Sequence, residues 1–312
     1  MSRERVETFE CFGGRCAVRV GDADGETAGW AVERARQTLL EAHRALSRFD
    51  PDSELSRLNR DPRSEVPVSP LLRRVVAAAL TAGLRSGGLV DATLVDEIEA
   101  AGYADSRIFD RSAGAGGEPA RRVAGPSPRA GWCEFAVDEP AGTVTRPLGA
   151  RLDPGGIAKG LLADLVGEPL ADFATFAVDC CGDLRIGGTA ARPRAVQVDN
   201  PLGGEPLYEL LIADGAVATS GITRRAWTAA DGRPAHQIID PARGEPAFTG
   251  VVQATALAPT GLLAETLAKS ALLAGPAAAE EHLPFGGVIV EEGGAVQVFE
   301  PLAPLLPPVQ VT

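Results

Sequence analysis

The chain bends sharply between Leu152 and Gly160, where its sequence reads LDPGGIAKG. The adjacent glycines Gly155 and Gly156 allow backbone conformations that other residues avoid and let a ligand approach the main chain. Lys159 would then offer a compact positive charge to a phosphate group. Residues 161–166 look helical, so unpaired N–H groups at a helix start would strengthen an anion site.

This segment is not a Walker A loop, because Lys159 is followed by a glycine rather than by serine or threonine. A glycine turn that leads into a helix and carries a surface lysine is an equally acceptable interpretation. The motif therefore predicts a turn followed by a helix, and it leaves open whether a phosphate group binds there.

Length and composition set the class of the molecule. A chain of 312 residues, 45% of them hydrophobic, suits one large domain or two ordinary ones and supports a substantial core. Its formal net charge of -12 argues against a nucleic-acid partner. No apolar run reaches the length of a membrane span, and the first residues lack the apolar stretch of a secretion signal. We therefore predict a cytoplasmic protein without a membrane span.

Cysteine and histidine usage restricts the metal chemistry. The cysteines, at positions 11, 16, 133, 180 and 181, are odd in number and match no zinc spacing. Cys180 and Cys181 lie in an apolar run, so we expect buried, reduced thiols, which agree with the cytoplasm. Histidines occur only at positions 43, 236 and 282, which excludes a multi-histidine metal site.

Helical and strand patterns are mixed without strict alternation along the chain. Apolar residues at helical spacing predict helices over 29–48, 70–84 and 261–274, and another that begins near Lys159. Short strands are predicted over 5–20, 131–151, 173–180, 194–199, 208–213, 216–218 and 287–298. Residues 104–131, rich in small and polar residues, are interpreted as a mobile loop or insertion. The pattern predicts an α+β architecture in a single domain over residues 1–312.

Five polar clusters interrupt this pattern, and each has an ordinary structural interpretation. Asp52–Asn59 and Asp91–Thr93 could cap helices, and Val178–Arg185 could be a turn at the end of a strand. Val217–Arg225 gathers hydroxyls, a glycine and two arginines, which suits a phosphate group but also a solvated turn. His236–Gly244 joins a histidine to an aspartate. Histidine carries protons near neutral pH, yet a purely structural histidine is an equally acceptable interpretation.

Taken in order, these clusters resemble the ApbE family of flavin transferases. The resemblance covers residues 40–275, and the succession of a glycine–lysine motif and an HIIDP-like motif is specific. The family motifs dSElsrlN, DpT, GGIAKG, GGD, aTSG, HiiDPrtG and ADalaT are met by Asp52–Asn59, Asp91–Thr93, Gly155–Gly160, Cys181–Asp183, Ala218–Gly221, His236–Gly244 and Ala264–Lys269.

The resemblance implies an α+β fold of the T-fold type, with mixed helices and sheets around a cleft for FAD. It also implies a reaction in which a threonine or serine hydroxyl of an acceptor flavoprotein attacks the FMN-side phosphorus of FAD. FMN becomes esterified to that protein, and AMP leaves. Such phosphoryl transfer depends on positioning and on neutralising the diphosphate charge, which magnesium does in the family.

The same resemblance assigns roles to individual residues. His236 would accept the proton of the attacking hydroxyl, and Asp240 would orient the imidazole. Phe49 would lie near the isoalloxazine ring. The whole set of implied FAD-binding residues is Phe49, Ser53, Glu54, Asn59, Thr93, Gly155, Gly156, Lys159, Asp183, Thr219, Ser220 and Lys269.

Three departures from the family pattern affect this site. The family binds magnesium through the aspartate and threonine of ADalaT and through carbonyls near the glycine–lysine turn, here Glu265, Lys269 and Ala158. Lysine has no acceptor for a metal. Glu265 and Lys269 are spaced for an ion pair on a helix, and we hypothesise that the Lys269 ammonium replaces some or all of the magnesium charge. Cys181 replaces the first glycine of GGD, and Ala92 replaces the proline of DpT.

Magnesium binding is therefore doubtful on the sequence, and more than one function stays open. The first is an FAD:protein FMN transferase. The second is an FAD-binding homologue that is non-catalytic or works without a metal. Hydrolysis of FAD to FMN and AMP is a third outcome. The expected partners are FAD and an acceptor flavoprotein in the cytoplasm, with no nucleic acid.

Overall fold

The structure, a computed structural model that describes residues 4–105 and 120–300, is built on an eight-stranded antiparallel sheet. The strands lie side by side in the order in which they follow along the chain, so the sheet is a meander interrupted by longer insertions. They are β1 (Glu4–Cys11), β2 (Gly14–Gly21), β3 (Thr175–Cys180), β4 (Asp183–Gly187), β5 (Gly215–Gly221), β6 (Val251–Ala258), β7 (Gly287–Glu291) and β8 (Val296–Phe299).

Helices fill the longer insertions, and side chains cap several of their starts. Ser53, Ser69 and Thr260 each accept a hydrogen bond from a backbone N–H of the first turn that follows. The α-helices of the described ranges are α1 (Gly25–Ala45), α2 (Glu54–Arg60), α3 (Pro70–Arg85), α4 (Val95–Ala100), α5 (Ala158–Gly167) and α6 (Gly261–Ala274). Short 3₁₀ turns occur at Gly131–Glu134, Pro154–Gly156, Glu168–Leu170 and Ala279–His282.

Short antiparallel ribbons complete the architecture. One has three strands, Glu65–Pro67, Thr143–Thr145 and Ala136–Asp138. The other ribbons have two strands each. They pair Arg194–Val198 with Tyr208–Ile212, Ala226–Thr228 with Pro234–His236, and Ile239–Asp240 with Glu245–Pro246.

Strand β6 is buried along its whole length because both of its faces are covered. Helix α6 packs on one face. The hairpin of Arg194–Val198 and Tyr208–Ile212 covers the other face, where Leu257 packs with Val196 and Ile212. A strand covered on both sides needs no polar alternation, and the sequence of β6, VVQATALA, shows none.

Helices α5 and α6 cross in close contact, and glycine makes this possible. A Cβ on Gly160 would lie 2.2 Å from the carbonyl oxygen of Gly261, and a Cβ on Gly261 would lie 2.4 Å from that of Gly160. The carboxylate of Asp164 secures the crossing by accepting hydrogen bonds from the backbone N–H groups of Gly261 and Leu262, at 2.6 and 2.9 Å. The polar side chains of the two helices are thereby brought together.

The predicted α+β architecture is confirmed, and most predicted helices agree with the structure to within a few residues. The segment 5–20, predicted as one strand, is the hairpin of β1 and β2, whose turn residues Phe12 and Gly13 both have positive φ, 53° and 74°. Strand β6 was missed because its burial removes the alternation that marks a strand. Strand β4 was missed because it is short and begins with the charged Asp183.

The segment 104–131, predicted as a mobile loop or insertion, is described in part. Residues 106–119 lie outside the described residues. Farther along, the backbone N–H groups of Arg122 and Ala124 donate to the carbonyls of Phe248 and Leu273, at 2.8 and 3.1 Å. The end of the segment is thus tied to the core. Within the described ranges, no helix has both the length and the apolar character needed to cross a bilayer.

The glycine crossing gives a direct test of the fold. We expect Gly160→Ala to lower the free energy of unfolding by about 3 kcal/mol, because the new methyl group meets backbone atoms that cannot move aside. Urea denaturation followed by circular dichroism measures this. Gly29→Ala is the matched control within α1, since its Cβ meets no atom within 4 Å, and it should stabilise by up to about 1 kcal/mol. Equal stability of the two variants would contradict the crossing.

Candidate functional site

A cavity of about 1790 Å³ lies between strands β3–β6, the start of α5 and the inner face of α6. Ordinary small-molecule pockets measure roughly 300–1,000 Å³, so this cavity has room for a dinucleotide. The predicted site residues that border it are Phe49, Gly155, Gly156, Ala158, Lys159, Thr219, Ser220, Glu265 and Lys269.

Lys159 is the centre of a polar cluster on the wall of this cavity. Its ammonium forms an ion pair with Asp183 at the start of β4, and it lies 3.5 Å from Oε1 of Glu265 on α6. Burial by itself would lower the pKa of Lys159, but the two carboxylates outweigh burial and raise this pKa above its ordinary value. Lys159 is therefore a permanent cation, and its charge is already matched by protein groups.

Asp183 lies behind Lys159, and its side chain is only 1% exposed. Its Oδ1 accepts a hydrogen bond of 3.2 Å from the backbone N–H of Thr219, which ties β4 to β5. Burial raises the pKa of Asp183 to about 6, although the ammonium of Lys159 acts in the opposite direction. Asp183 was predicted to bind FAD, but it is not among the residues that border the cavity. It supports Lys159 from behind.

Hydroxyl groups from two neighbouring strands stand beside this cluster. The Thr219 and Thr255 hydroxyls are 2.9 Å apart across the pair of β5 and β6. Thr219 and Ser220 both border the cavity, as predicted, and Thr255 adds a third hydroxyl that the sequence did not single out. These groups can donate to the oxygens of a bound phosphate or sugar.

Lys269 reaches the cavity one helical turn after Glu265. Its side chain crosses the glycine turn, because a Cβ on Gly156 would lie 2.9 Å from Cε and 3.6 Å from Nζ of Lys269. Burial lowers the pKa of Lys269, although the Glu265 carboxylate acts in the opposite direction. The predicted Glu265–Lys269 ion pair is absent among the described residues, since Glu265 is engaged by Lys159 and by the N–H of Gly160.

The carboxylate oxygen atoms of the predicted metal site already have other partners. Oε2 of Glu265 accepts a 2.9 Å hydrogen bond from the Gly160 N–H, and Oε1 faces Lys159. Ala158 contributes only a backbone carbonyl. Among residues 4–105 and 120–300, no group of three or more His, Cys, Asp or Glu side chains is placed to hold a metal ion. Magnesium prefers an octahedron of oxygen ligands, and these residues do not fit it.

The glycine turn is fixed by Asp153, which the sequence analysis did not single out. Oδ1 of Asp153 accepts a 2.8 Å hydrogen bond from the Gly155 N–H, and Oδ2 pairs with Nε of Arg48 at 2.8 Å. The Arg48 guanidinium lies 4.5 Å from the centre of the Phe49 ring. Phe49 also meets Tyr103 edge to face, with ring centroids 5.3 Å apart. Asp153 and Arg48 therefore link the glycine turn to the aromatic side chains of Phe49 and Tyr103.

His236 does not border the cavity and is only 1% exposed. Its Nδ1 accepts the Ile238 N–H at 3.2 Å, while its Nε2 has no partner among the described residues. Burial lowers the pKa of His236 to about 3. The strand ends at His236 and the backbone bends at Gln237, and it is Gln237, followed by Ile238 and Ile239, that borders the cavity. In this arrangement the imidazole does not reach the cavity, and the role of His236 as proton acceptor stays a prediction.

The sequence already indicated that His236 does not occupy the position of the family's histidine. The family motif HiiDPrtG places its histidine three residues before the aspartate, whereas His236 stands four residues before Asp240. Gln237 is the residue three positions before Asp240. Of the three histidines of the chain, only His43, on α1, borders the cavity.

Asp240 is buried, and it organises a turn instead of orienting His236. Its Oδ1 accepts hydrogen bonds from the N–H groups of Gly125 and Ala242, at 3.1 and 3.0 Å. Its Oδ2 pairs with Arg243. These contacts give Asp240 a structural role, and its predicted role in catalysis stays a prediction.

Four further residues predicted to bind FAD have structural hydrogen bonds and do not border the cavity. Ser53 caps α2, and both carboxylate oxygens of Glu54 accept hydrogen bonds from Ser69 at the start of α3. The amide of Asn59 exchanges two hydrogen bonds of 2.8 Å with the backbone of Leu152, just before the glycine turn. Thr93 donates to Asp91. These side chains shape the site from outside it.

Arg225 was noted in the sequence only as part of a hydroxyl and cation cluster, and it borders the cavity. Its Nη2 donates a 3.1 Å hydrogen bond to the carbonyl of Phe12 in the hairpin of β1 and β2. The cavity thus has cations besides Lys159 and Lys269, and the other arginines that border it are Arg15, Arg19, Arg48, Arg194 and Arg224.

Fold and site define an α+β protein with a large cavity lined by cations and hydroxyls around a glycine turn. The pattern of the ApbE family matches residues 12–286, and the chain belongs to this family.

Two relatives that match most of the chain support this assignment. The chain is 28% identical over 302 residues to the FAD:protein FMN transferase of Treponema pallidum, with 88% of this chain and 80% of that protein covered. It is 25% identical over 255 residues to the FAD:protein FMN transferase of Haemophilus influenzae, with 78% and 72% covered.

Solved structures confirm the fold. The ApbE protein of Thermotoga maritima superposes with a TM-score of 0.78 at 24% identity, covering 96% of this chain and 97% of that one. The flavinyl transferase ApbE of Pseudomonas stutzeri gives a TM-score of 0.74 at 20% identity, with 98% and 97% covered.

The buried Lys159 cluster predicts a pH-dependent stability change. Lys159→Met should lower the free energy of unfolding by about 3 kcal/mol at neutral pH, because it leaves two buried carboxylates without a cation. The folded-state pKa of Asp183 then rises further above its unfolded value. Since the folded protein binds the proton first, the loss should shrink as the pH falls toward about 5.

Urea titrations at both pH values measure this loss, and Lys269→Met is the matched control. Its ammonium has no counter-ion among the described residues, so we expect that its removal does not lower the free energy of unfolding at either pH. A Lys159→Met loss that does not vary with pH would contradict this view of the cluster.

Burial of neutral His236 predicts an acid sensitivity. Its pKa falls from 6.5 to about 3 on folding, so the unfolded chain binds the proton first and stability drops as the pH falls below 6.5. His236→Asn keeps an acceptor for the Ile238 N–H and cannot titrate. Between neutral pH and about pH 5, the wild type should lose about 2 kcal/mol more than this variant. Parallel losses in urea unfolding would show that the imidazole is already accessible.

Proposed function

We propose that this chain binds FAD in the central cavity and acts as an FAD:protein FMN transferase. The observation that carries the proposal is the cavity itself, whose glycine turn, Lys159 and Lys269 come together in a member of the ApbE family. Both curated relatives described above are named FAD:protein FMN transferase, which supports the same activity.

In the proposed reaction, a threonine or serine hydroxyl of an acceptor flavoprotein attacks the FMN-side phosphorus of FAD. The new oxygen–phosphorus bond joins FMN to the acceptor, the bond to AMP breaks, and AMP carries away the bridging oxygen. Lys159, Lys269 and Arg225 would neutralise the diphosphate charge, which grows on the leaving phosphate. The hydroxyl proton passes to a group other than His236, since that imidazole is sealed in the core.

A second candidate function is FAD binding without transfer. Two observations favour it: His236 is turned away from the cavity, and the described donor groups do not fit magnesium. Loss of both a base and a metal would leave the binding surface intact while slowing the chemistry. Hydrolysis of FAD to FMN and AMP is the third outcome that the same cavity allows.

We propose that the acceptor is a flavoprotein of the cytoplasm with a threonine or serine at the modified position. All five cysteines are unpaired thiols, which suits a reducing compartment. The net charge of -12 supports a protein partner over a nucleic acid.

The test follows three quantities in one reaction of the purified chain with FAD and threonine- or serine-containing acceptor peptides. Calorimetry measures FAD binding, chromatography measures AMP, and mass spectrometry measures FMN on the peptide. Bound FAD with AMP and modified peptide supports transfer. Bound FAD without AMP selects the binder, and AMP with free FMN selects hydrolysis. Failure to bind FAD rejects all three.

Variants of His236 and Gln237 test which of these two adjacent side chains affects the reaction. We expect His236→Asn to change AMP release less than about threefold, because the side chain does not reach the cavity. Gln237→Ala should lower AMP release by at least about tenfold, since Gln237 borders the cavity in which FAD is proposed to bind. Equal FAD affinity of both variants is the control for binding, and a selective loss in His236→Asn would restore the sequence-based assignment.

A further inference from the structure

We propose that the ammonium of Lys269 binds the diphosphate of the dinucleotide directly, so that this chain holds its ligand without a divalent metal ion. The inference rests on the proposed function, because FAD is taken as the dinucleotide. Three properties of the site carry it: the balance of charges, the position of the side chain, and the oxygen atoms at hand.

The first property is that Lys269 is a cation without a counter-ion. Lys159 engages the carboxylates of both Asp183 and Glu265. In the part of the chain that the structure describes, no group gives Nζ of Lys269 a hydrogen bond or an ion pair. An ammonium withdrawn from water is costly unless an anion faces it, and the cavity is the side from which an anion can come.

The second property is the position of Lys269 on the glycine turn. The side chain passes so close to Gly156 that a Cβ there would lie 2.9 Å from Cε. Nζ is therefore held beside the backbone of Gly156, where a phosphate can meet the main chain. Lys159 lies in the first turn of α5, directly after the same bend, so a diphosphate bound at the bend would meet both ammonium groups.

The third property is the shortage of free oxygen ligands. Of the two carboxylates in the cluster, Asp183 is paired with Lys159 and bonded to the Thr219 N–H. Glu265 is shared between Lys159 and the Gly160 N–H. A magnesium ion would need oxygens that these contacts already use, and it would lie against the ammonium of Lys269. The space beside the Lys269 ammonium therefore attracts an anion and repels a metal cation.

Calorimetry of the full chain with FAD and with ADP, which carries a diphosphate but no flavin, tests the proposal. Each titration is run with a chelator and with magnesium. We expect the wild-type affinities to differ less than about twofold between the two conditions. Lys269→Met should weaken both ligands at least about tenfold in chelator, the value of one charge-assisted hydrogen bond.

Two control variants isolate the contact. Lys269→Arg keeps a cation and should bind within about threefold of the wild type. Arg85→Met removes one charge from the exposed end of α3, away from the cavity, and should leave both affinities unchanged. Circular dichroism confirms that each variant is folded.

Wild-type binding that requires magnesium overturns the inference, and so does a Lys269→Met variant that binds FAD as tightly as the wild type in chelator. Either result leaves FAD binding, and hence the proposed function, in place. Absence of FAD binding by the wild type in both conditions rejects the proposed function and the inference together.

The structure also assigns an oxidation site to a pair of cysteines beside the cavity. Cys16 on β2 is paired in register with Cys180 of β3, and Cys181 follows in the turn to β4. The sulfur atoms of Cys16 and Cys181 are 3.7 Å apart. Cys16 is buried, while Cys181 is partly exposed and borders the cavity. A small rotation brings two such sulfurs to disulfide distance.

Hydrogen peroxide is the oxidant that this site would meet. The Cys181 thiolate attacks one peroxide oxygen, giving a sulfenic acid and hydroxide, and the Cys16 thiol then displaces water to form the disulfide. The hydrogen bond with Cys16 and the nearby Lys159 ammonium lower the pKa of Cys181, against the effect of burial. Because Cys181 borders the cavity whereas Cys16 is buried, Cys181 is the attacking sulfur and Cys16 the resolving one.

Peroxide treatment of the full chain, followed by peptide mass mapping, tests this assignment. We expect a Cys16–Cys181 cross-link that dithiothreitol reverses. Cys16→Ser should stop at a sulfenic acid on Cys181 that dimedone traps, and Cys133→Ser, at an exposed thiol, should still form the cross-link. Free thiols on both Cys16 and Cys181 after treatment, or a cross-link through Cys133 alone, would overturn it.

Discussion

The ammonium of Lys159 holds the site together, because it joins three elements that are distant in sequence. It comes from the first turn of α5 and meets Asp183 from β4 and Glu265 from α6. Each carboxylate is also fixed by a backbone N–H, from Thr219 and Gly160 respectively. In a buried site such a cluster is stable only when every charge has its partner, so the positions of the two helices and the sheet depend on one another.

The ion pairs of Lys159 also determine which charge a ligand in the cavity can carry. Since Lys159 uses both carboxylates, the cluster leaves Lys269 as an ammonium free for an anion and leaves little for a metal. The crossing of α5 and α6 at Gly160 and Gly261 makes this geometry possible, because any larger residue would separate the helices. A close backbone contact therefore determines which charge the cavity can accept.

Much of the fold followed from local sequence signals. Capped helices such as α3 and α6 were predicted to within a residue, because helical spacing and caps act over a few neighbouring positions. The glycine turn and Lys159 were also found this way, whereas Lys269 was singled out by the likeness to the family. Strand β6 could not be found, since its two covered faces erase the alternation that a strand usually shows. Family likeness supplied Ser53, Glu54 and Asn59 as ligand residues, but their hydrogen bonds show that they support the site from outside.

The sequence by itself determined the family, the α+β class, and the bend at Gly155–Gly156 with its lysine, since these depend on residue types at fixed local spacing. Only the tertiary structure decided which side chains face the cavity. The backbone bends directly after the short strand that ends at His236, so that His236 is buried while Gln237 borders the cavity. Which carboxylate each lysine meets was likewise decided by the packing of α5 against α6, a contact between residues about a hundred positions apart.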